Sequence, residues 1–87
     1  MMTYQVVLLK KHDKSIAKFS SIDQARVYKH LKALEVNPRP PGKKVASFKG
    51  LPHGMRLRIG DIRVIYTIHD KEKRIYIVDV GRRGDIY

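Results

Sequence analysis

The sequence predicts an α+β fold in which two N-terminal helices pack on one face of a largely antiparallel sheet, in the order β-α-α-β-β-β. Three observations support this prediction: an apolar opening segment, a helical pattern before residue 36, and three alternating segments near the C-terminal end. The 87 residues suffice for one domain spanning residues 1–87 and leave no room for a second.

The N-terminal half predicts one strand followed by two helices. Residues 4–9 are rich in Val and Leu, which favours a strand, and residues 10–18 suggest a short first helix. Ser21 followed by Gln24 forms a capping-box pattern, so the second helix is predicted over residues 22–35. Apolar residues recur there at every third position and are assigned to the core-facing side: Ile22, Ala25, Tyr28, Leu31 and Leu34.

A proline-rich stretch over residues 37–42 ends the second helix, because proline fixes the backbone and removes an amide donor. The segment that follows is predicted to be a basic loop carrying Lys43, Lys44 and Lys49. These lysines could follow a phosphate backbone or remain solvated, and the sequence alone leaves both interpretations open.

The C-terminal half predicts a three-stranded meander. Residues 55–59 alternate apolar and basic side chains, and Gly60-Asp61 is a two-residue hairpin signal that leads into residues 62–68. A second turn then leads into a third strand over residues 74–80.

The charge balance indicates an anionic partner. Nineteen Lys and Arg against eight Asp and Glu give a formal net charge of +11, which favours a polyanion such as nucleic acid or an acidic protein. The alternative is a soluble protein that is merely basic.

Several classes of site and location are excluded or disfavoured by composition. The absence of cysteine excludes disulfides, thiolate zinc sites and thiol nucleophiles. The four histidines lack metal-ligand spacing, so neither a metal nor a cofactor is expected. Apolar runs are too short to span a membrane, and we expect no membrane partner and a cytoplasmic location.

Arginines lie within or directly after the strands of the predicted meander. Arg56 and Arg58 are two residues apart, so they share one face of a strand, which we expect to be the face opposite the helices. Arg63 follows the tight turn and should lie close to them, and Arg82 and Arg83 end the last strand. An ordinary solvated sheet face is the alternative. Because guanidinium groups keep their charge at neutral pH, convergent arginines instead imply a bound polyanion.

The chain resembles the RelE toxins of the RelE/ParE superfamily, most specifically in the segments GDIRVIY (60–66) and VGRRGDIY (80–87). The resemblance implies a fold akin to small microbial ribonucleases. It also implies a toxin that enters the ribosomal A site and cuts mRNA without metal, by attack of the ribose 2′-hydroxyl on the adjacent phosphate. An acidic antitoxin would restrain it in a hetero-oligomer, so the implied partners are this antitoxin, the ribosome and mRNA.

Residue by residue, the resemblance implies catalytic roles for five side chains: Arg56, Arg58, Arg63, Arg83 and Tyr87. The arginines would stabilise charge on the phosphate, and Tyr87 would stack on a base or accept the 2′ proton. Family members often carry lysine where Arg56 and Arg58 stand; since arginine cannot act as a base, their role here is expected to be electrostatic. RNA or ribosome contacts are predicted for Lys43, Lys44, Lys49 and Arg82.

Two other functions remain open at this stage. The ParE branch shares the scaffold but poisons DNA gyrase through protein contact, without nuclease residues. A plain RNA-binding or ribosome-associated protein without chemistry is the other.

Overall fold

Two helices and a five-stranded sheet make up the computed structural model, which describes residues 4–42 and 44–82. The elements along the chain are β1 (Gln5–Val7), α1 (Lys10–Ala17), α2 (Ser21–Val36), β2 (Val45–Ser47), β3 (Gly54–Ile59), β4 (Ile62–His69) and β5 (Arg74–Arg82). The α+β class, the two helices and the C-terminal meander are as predicted. The strand β2 was not predicted.

The sheet order is β1-β5-β4-β3-β2. The first strand is parallel to β5, whereas every other neighbouring pair is antiparallel. A parallel neighbour cannot be reached through a tight turn. Accordingly, α1 and α2 lie in the connection that follows β1. The three longest strands form a simple meander in the centre of the sheet, with β1 and β2 at its two edges.

The second helix begins one residue earlier than the capping-box pattern predicted. Ser20, not Ser21, is the N-cap, and its hydroxyl accepts a hydrogen bond from the backbone N–H of Asp23 at 3.2 Å. The predicted partner Gln24 instead donates its side-chain amide to the carbonyl of Phe19 at 2.9 Å. These bonds fix the corner between α1 and α2, and Asp23 in the first turn also favours the helix dipole.

The buried side of α2 differs from the predicted three-residue stripe. Val27, Leu31 and Leu34 are buried, whereas Ile22 is 67% exposed and Tyr28 is 41% exposed. A step of three residues falls short of a full turn of 3.6 residues by about 60°, so a strict three-residue stripe winds out of the core. The four-and-three spacing of the buried residues follows the helix more closely.

The core lies between the helices and one face of the sheet. Its sheet side consists of alternate residues of β3, β4 and β5, and its helix side of apolar residues from α1 and α2: Leu57, Ile59, Ile62, Val64, Tyr66, Ile68, Ile75, Ile77 and Val80 from the sheet, and Ile16, Val27, Leu31 and Leu34 from the helices. Each buried aliphatic side chain stabilises the fold by about 1.5–3 kcal/mol relative to exposure. This burial decides which sheet face is left for function.

A two-residue turn joins β3 and β4, as predicted. Ile59 pairs with Ile62, so only Gly60 and Asp61 lie between the strands. Gly60 has φ +60°, a left-handed conformation that glycine adopts without steric cost.

The missed strand β2 is short and lies at the sheet edge, where Val45 pairs with Leu57 and Ser47 with Met55. Three residues flanked by lysines carry too little alternation to be told from a loop. An edge strand of only three residues also offers few unpaired backbone groups to other chains. The predicted basic loop is therefore partly a strand.

Candidate active site on the open face of the sheet

Strand register brings three of the predicted arginines together. Arg58 of β3 lies directly opposite Arg63 of β4, and Arg56 pairs with Ile65 in the next row of the same face. Directly opposed residues in an antiparallel pair have Cβ atoms about 5 Å apart. Arg56, Arg58 and Arg63, here called the arginine cluster, therefore stand together on the sheet face opposite the helices, which we call the open face.

The arginine cluster is accessible to a ligand. Arg56 and Arg58 are exposed and Arg63 is half-buried. Within residues 4–42 and 44–82, neither Arg56 nor Arg58 forms an ion pair with a carboxylate. Arg63 donates to the carbonyl oxygen of Gly60 at 3.5 Å, the upper limit for a hydrogen bond. The exposed positive charge of Arg56 and Arg58 suits a phosphate group.

A carboxylate on the open face was missed by the sequence reading. Asp79 pairs with Ile65, which in turn pairs with Arg56, so the three residues form one row across β5, β4 and β3. One oxygen of Asp79 accepts the backbone N–H of Val80 at 2.9 Å. Asp79 thus brings a possible proton acceptor to the face that carries the arginines.

The reason that Asp79 was missed is a β-bulge. Strict alternation from Ile75 would place Ile77 and Asp79 on the same, core-facing side. The register between β4 and β5 shifts between Ile65 and Tyr66, so that Val80 rather than Asp79 enters the core. Beyond the added residue, the side chains of β5 alternate in the opposite sense. No local sequence pattern predicts such a shift.

Arg82 does not join the arginine cluster. It pairs in register with the buried residue Ile62, on the helix side of the sheet. There its guanidinium donates to Asp61 at 2.7 Å and to Asp23 at 3.1 Å, and it lies 4.9 Å from the centre of the Phe19 ring. The two carboxylates raise the pKa of Arg82 above its ordinary value, Asp23 having the larger effect. The RNA contact of Arg82 stays a prediction. In the structure, its guanidinium contacts Asp61, Asp23 and Phe19 of the same chain.

Of the predicted lysines, Lys44 and Lys49 lie in the described residues, at two different places along the β2–β3 edge. Lys44 is exposed immediately before β2, and Lys49 is exposed in the turn between β2 and β3, at the far end of β3 from Gly60. The side chains of Lys43, Arg83 and Tyr87 lie outside the described residues, so their predicted roles stay predictions.

His12 and Tyr66 are buried and cannot serve as a base next to the arginine cluster. His12 is 5% exposed on α1, and burial lowers its pKa, with the nearby positive charge of Lys11 adding to the effect. Tyr66 is fully buried in the core; burial raises its pKa to about 12, and its hydroxyl donates to the carbonyl of Pro38 at 2.8 Å. Both side chains are therefore part of the buried interior.

The part of the chain that the structure describes contains neither a metal-binding cluster nor a membrane-spanning helix. No group of three or more His, Asp or Glu side chains there could hold a metal ion. In the same residues, no helix is long and apolar enough to cross a membrane.

The fold and the arginine cluster together define a small basic α+β protein with a cationic sheet face. Comparison with protein families matches residues 8–87 to the ParE toxin of the type II toxin-antitoxin system parDE. The chain therefore belongs to the RelE/ParE superfamily of type II toxin–antitoxin toxins. Comparison with curated protein sequences gives no significant match.

Solved structures of RelE toxins share the whole architecture. The RelE–RelB complex of the archaeon Pyrococcus horikoshii OT3 contains a chain 32% identical to this one, with a TM-score of 0.85 over 97% of this chain and 99% of that chain. The RelBE2 toxin–antitoxin complex of Mycobacterium tuberculosis gives 22% identity and a TM-score of 0.77 over 98% and 97%. The intact RelBE complex of E. coli gives 20% identity and 0.74 over 91% and 95%. The two more distant matches establish the fold alone.

Proposed function

We propose that this toxin is an endoribonuclease that cuts mRNA in the ribosomal A site and so inhibits translation. The observation that supports it most is the pairing of Arg58 with Arg63 on the open face, with Arg56 in the adjacent row. Guanidinium groups on one sheet face can donate to the oxygens of an RNA phosphate. The ribosomal context is what the resemblance to RelE toxins implies.

The proposed reaction is an internal transesterification. The 2′-oxygen of the ribose attacks the adjacent phosphorus, its proton passes to a base, and the bond from phosphorus to the 5′-oxygen of the next nucleotide breaks. The products are a 2′,3′-cyclic phosphate and a 5′-hydroxyl, the latter formed when the leaving oxygen takes a proton. No metal is required, because the arginine cluster and Arg83 would stabilise the additional negative charge on the phosphorane-like transition state.

Two groups are candidates for the base. Tyr87 is proposed from the family pattern, provided that neighbouring arginines lower the pKa of its hydroxyl from about 10. Asp79 is proposed from the strand register, because it lies in the row of Arg56 and Ile65 on the open face. Arginine itself keeps its proton at neutral pH, so no member of the arginine cluster takes this role.

An acidic antitoxin is the proposed regulatory partner. The solved structures of similar proteins from P. horikoshii, M. tuberculosis and E. coli are complexes of toxin with antitoxin. With a net charge of +11, this chain would attract such a partner electrostatically, and the proposed complex is a hetero-oligomer in which the open face is covered.

The alternative function is inhibition of DNA gyrase without nuclease activity. It is favoured by the family match, which is to the ParE branch. The experiment that separates the two is primer extension on mRNA translated by purified ribosomes in the presence of the chain, beside a gyrase supercoiling assay. We expect new 5′ ends within A-site codons and unchanged supercoiling. Inhibited supercoiling without cuts would replace the nuclease proposal with the gyrase one.

A further inference from the structure

A second cationic site lies on the helix side of the molecule, around the hairpin turn from the arginine cluster. It is an open cleft of about 550 Å³ between α2 and the end of the β2–β3 sheet edge. Its lining consists of three basic or imidazole side chains of α2, one lysine and two hairpin residues: Arg26, Lys29, His30, Lys44, Ile59 and Gly60. We call it the helix-side cleft.

Helical spacing explains why three of these groups converge. Lys29 and His30 follow Arg26 by three and four residues, so all three project from one side of α2. The Nδ1 atom of His30 lies 2.8 Å from the carbonyl oxygen of Arg26. A carbonyl oxygen can only accept, so Nδ1 donates this bond, which holds the imidazole against the helix backbone beside Arg26 and Lys29.

The acidic side chains closest to this end of the molecule are already engaged. Asp61 and Asp23 both accept hydrogen bonds from Arg82, at 2.7 and 3.1 Å. Arg26 reaches Asp23 only at 4.0 Å, and its side chain is 61% exposed. Arg82 offsets one of these two negative charges, and the three cations of the helix-side cleft, Arg26, Lys29 and Lys44, exceed the one that remains.

We propose that the helix-side cleft binds a backbone phosphate of RNA outside the segment that is cut. Gly60 belongs to the lining of the cleft, and its turn joins the strands that carry Arg58 and Arg63. A Cβ atom at Gly60 would meet no atom within 4 Å, so this position of the turn is exposed. The helix-side cleft and the arginine cluster thus lie on either side of one exposed turn, whose Asp61 is paired with Arg82, and one RNA molecule can contact both sites. This inference rests on the proposed function for the choice of RNA over an acidic protein.

The test compares two variants with the same loss of charge. Lys29→Ala/Lys44→Ala removes two lysines from the helix-side cleft, and Lys14→Ala/Lys71→Ala removes two exposed lysines elsewhere. The probe is a fluorescent 2′-O-methyl oligoribonucleotide, which cannot be cleaved because its 2′-oxygen is blocked. Affinity is measured over a range of salt concentrations, and melting curves of all proteins establish that they are folded.

We expect the cleft variant to lose affinity and to bind with a shallower salt dependence. Each lost phosphate contact should lower the slope of log affinity against log salt by roughly 0.7 for single-stranded RNA. The control variant should retain the wild-type slope. Equal changes in both variants would overturn the proposal, because the loss would then reflect net charge alone.

Two other results bear on the proposal. If the cleft variant binds RNA like the wild type but loses affinity for an oligoglutamate peptide, the cleft is a site for an acidic protein and the proposal is wrong. Because the probe is not cleaved, a ribosome assay without cuts would refute the nuclease proposal and leave a cleft-specific change in salt slope standing.

Discussion

Arg82 and Asp61 are joined by a 2.7 Å ion pair that ties the end of β5 to the turn between β3 and β4. The same guanidinium contacts Asp23 in the first turn of α2 at 3.1 Å. The side chain of Arg82 thus connects the end of β5 with two other parts of the fold: the hairpin that bears Arg58 and Arg63, and the start of α2. It acts in the scaffold of the site, on the face opposite the arginine cluster.

The first prediction follows from this placement. Arg82→Ala should lower the melting temperature modestly, and added salt should reduce the difference from wild type because the pairs are solvent-accessible and screened. Cleavage in the translation assay should fall by less than about tenfold, in contrast to loss of a preorganised donor. Asp61→Asn should produce a similar but smaller change in melting. A hundredfold loss of cleavage with unchanged melting would instead make Arg82 an RNA contact, as the sequence predicted.

The second prediction concerns the arginine cluster. Arg63→Ala should reduce single-turnover cleavage by roughly two to three powers of ten, on the scale of one lost transition-state donor. Ribosome binding should weaken far less, since many other cations still meet phosphates. Arg74→Ala is the matched control, because Arg74 is exposed at the opposite end of the β4–β5 pair. Equal losses in binding and in cleavage rate would mean that Arg63 anchors RNA without catalysing the reaction.

Alternation of side chains carried most of the fold prediction. It separated Leu57 and Ile59 from Arg56 and Arg58, and the Gly60-Asp61 turn fixed the register that sets Arg58 opposite Arg63. These features depend on neighbours close in sequence, which is why one sequence sufficed to predict them.

Features set by long-range contacts were not predictable in the same way. The bulge that directs Asp79 to the open face depends on pairing with β4, and the contacts of Arg82 join residues 21 and 59 positions apart along the chain. The short strand β2 exists because Val45 and Ser47 pair with β3, although their own sequence is typical of a loop. Each outcome is a tertiary effect that overrides or redirects local preference.

The third prediction tests the buried tyrosine of the core. Tyr66→Phe removes the hydroxyl that donates to the carbonyl of Pro38 at 2.8 Å and should lower the free energy of unfolding by about 0.5–1.5 kcal/mol. Urea denaturation measures this change. Tyr28→Phe is the control, since its hydroxyl donates to Asp13 at an exposed position, and its effect should stay within about 0.5 kcal/mol. A Tyr66→Phe protein as stable as wild type would show that this bond contributes nothing net.

The fourth prediction concerns acid stability at the end of the sheet away from Gly60. Hydrogen bonds from Arg39 and then Tyr4 lower the pKa of Asp70 from 3.8 to about 2. The folded state therefore favours the ionised carboxylate, so this stabilisation is present above pH 3.8 and is lost as the pH falls through about 2. The melting temperature of wild type should exceed that of Asp70→Asn at neutral pH, and the difference should shrink across that interval. A constant difference down to pH 2 would contradict the linkage.

The last prediction decides between Tyr87 and Asp79 as the base. If the Tyr87 hydroxyl accepts the 2′ proton, Tyr87→Phe should reduce the single-turnover rate by roughly two to four powers of ten, because the ring remains while the acceptor is lost. Asp79→Asn should then have a much smaller effect. If Asp79 is the base, Asp79→Asn should cause the large loss of single-turnover rate. The Tyr87→Phe protein should then cleave mRNA nearly as fast as wild type.

A stacking role for Tyr87 predicts a third pattern. Tyr87→Ala would weaken RNA binding by about 1–3 kcal/mol, as expected for loss of one base–aromatic stack, while Tyr87→Phe would bind normally. Binding is measured with the 2′-O-methyl probe, so that it is separated from cleavage. Should Tyr87→Phe, Tyr87→Ala and Asp79→Asn all leave the rate intact, neither group transfers the proton. Catalysis would then rest on electrostatic stabilisation by the arginines, with the proton passing to solvent or to a ribosomal group.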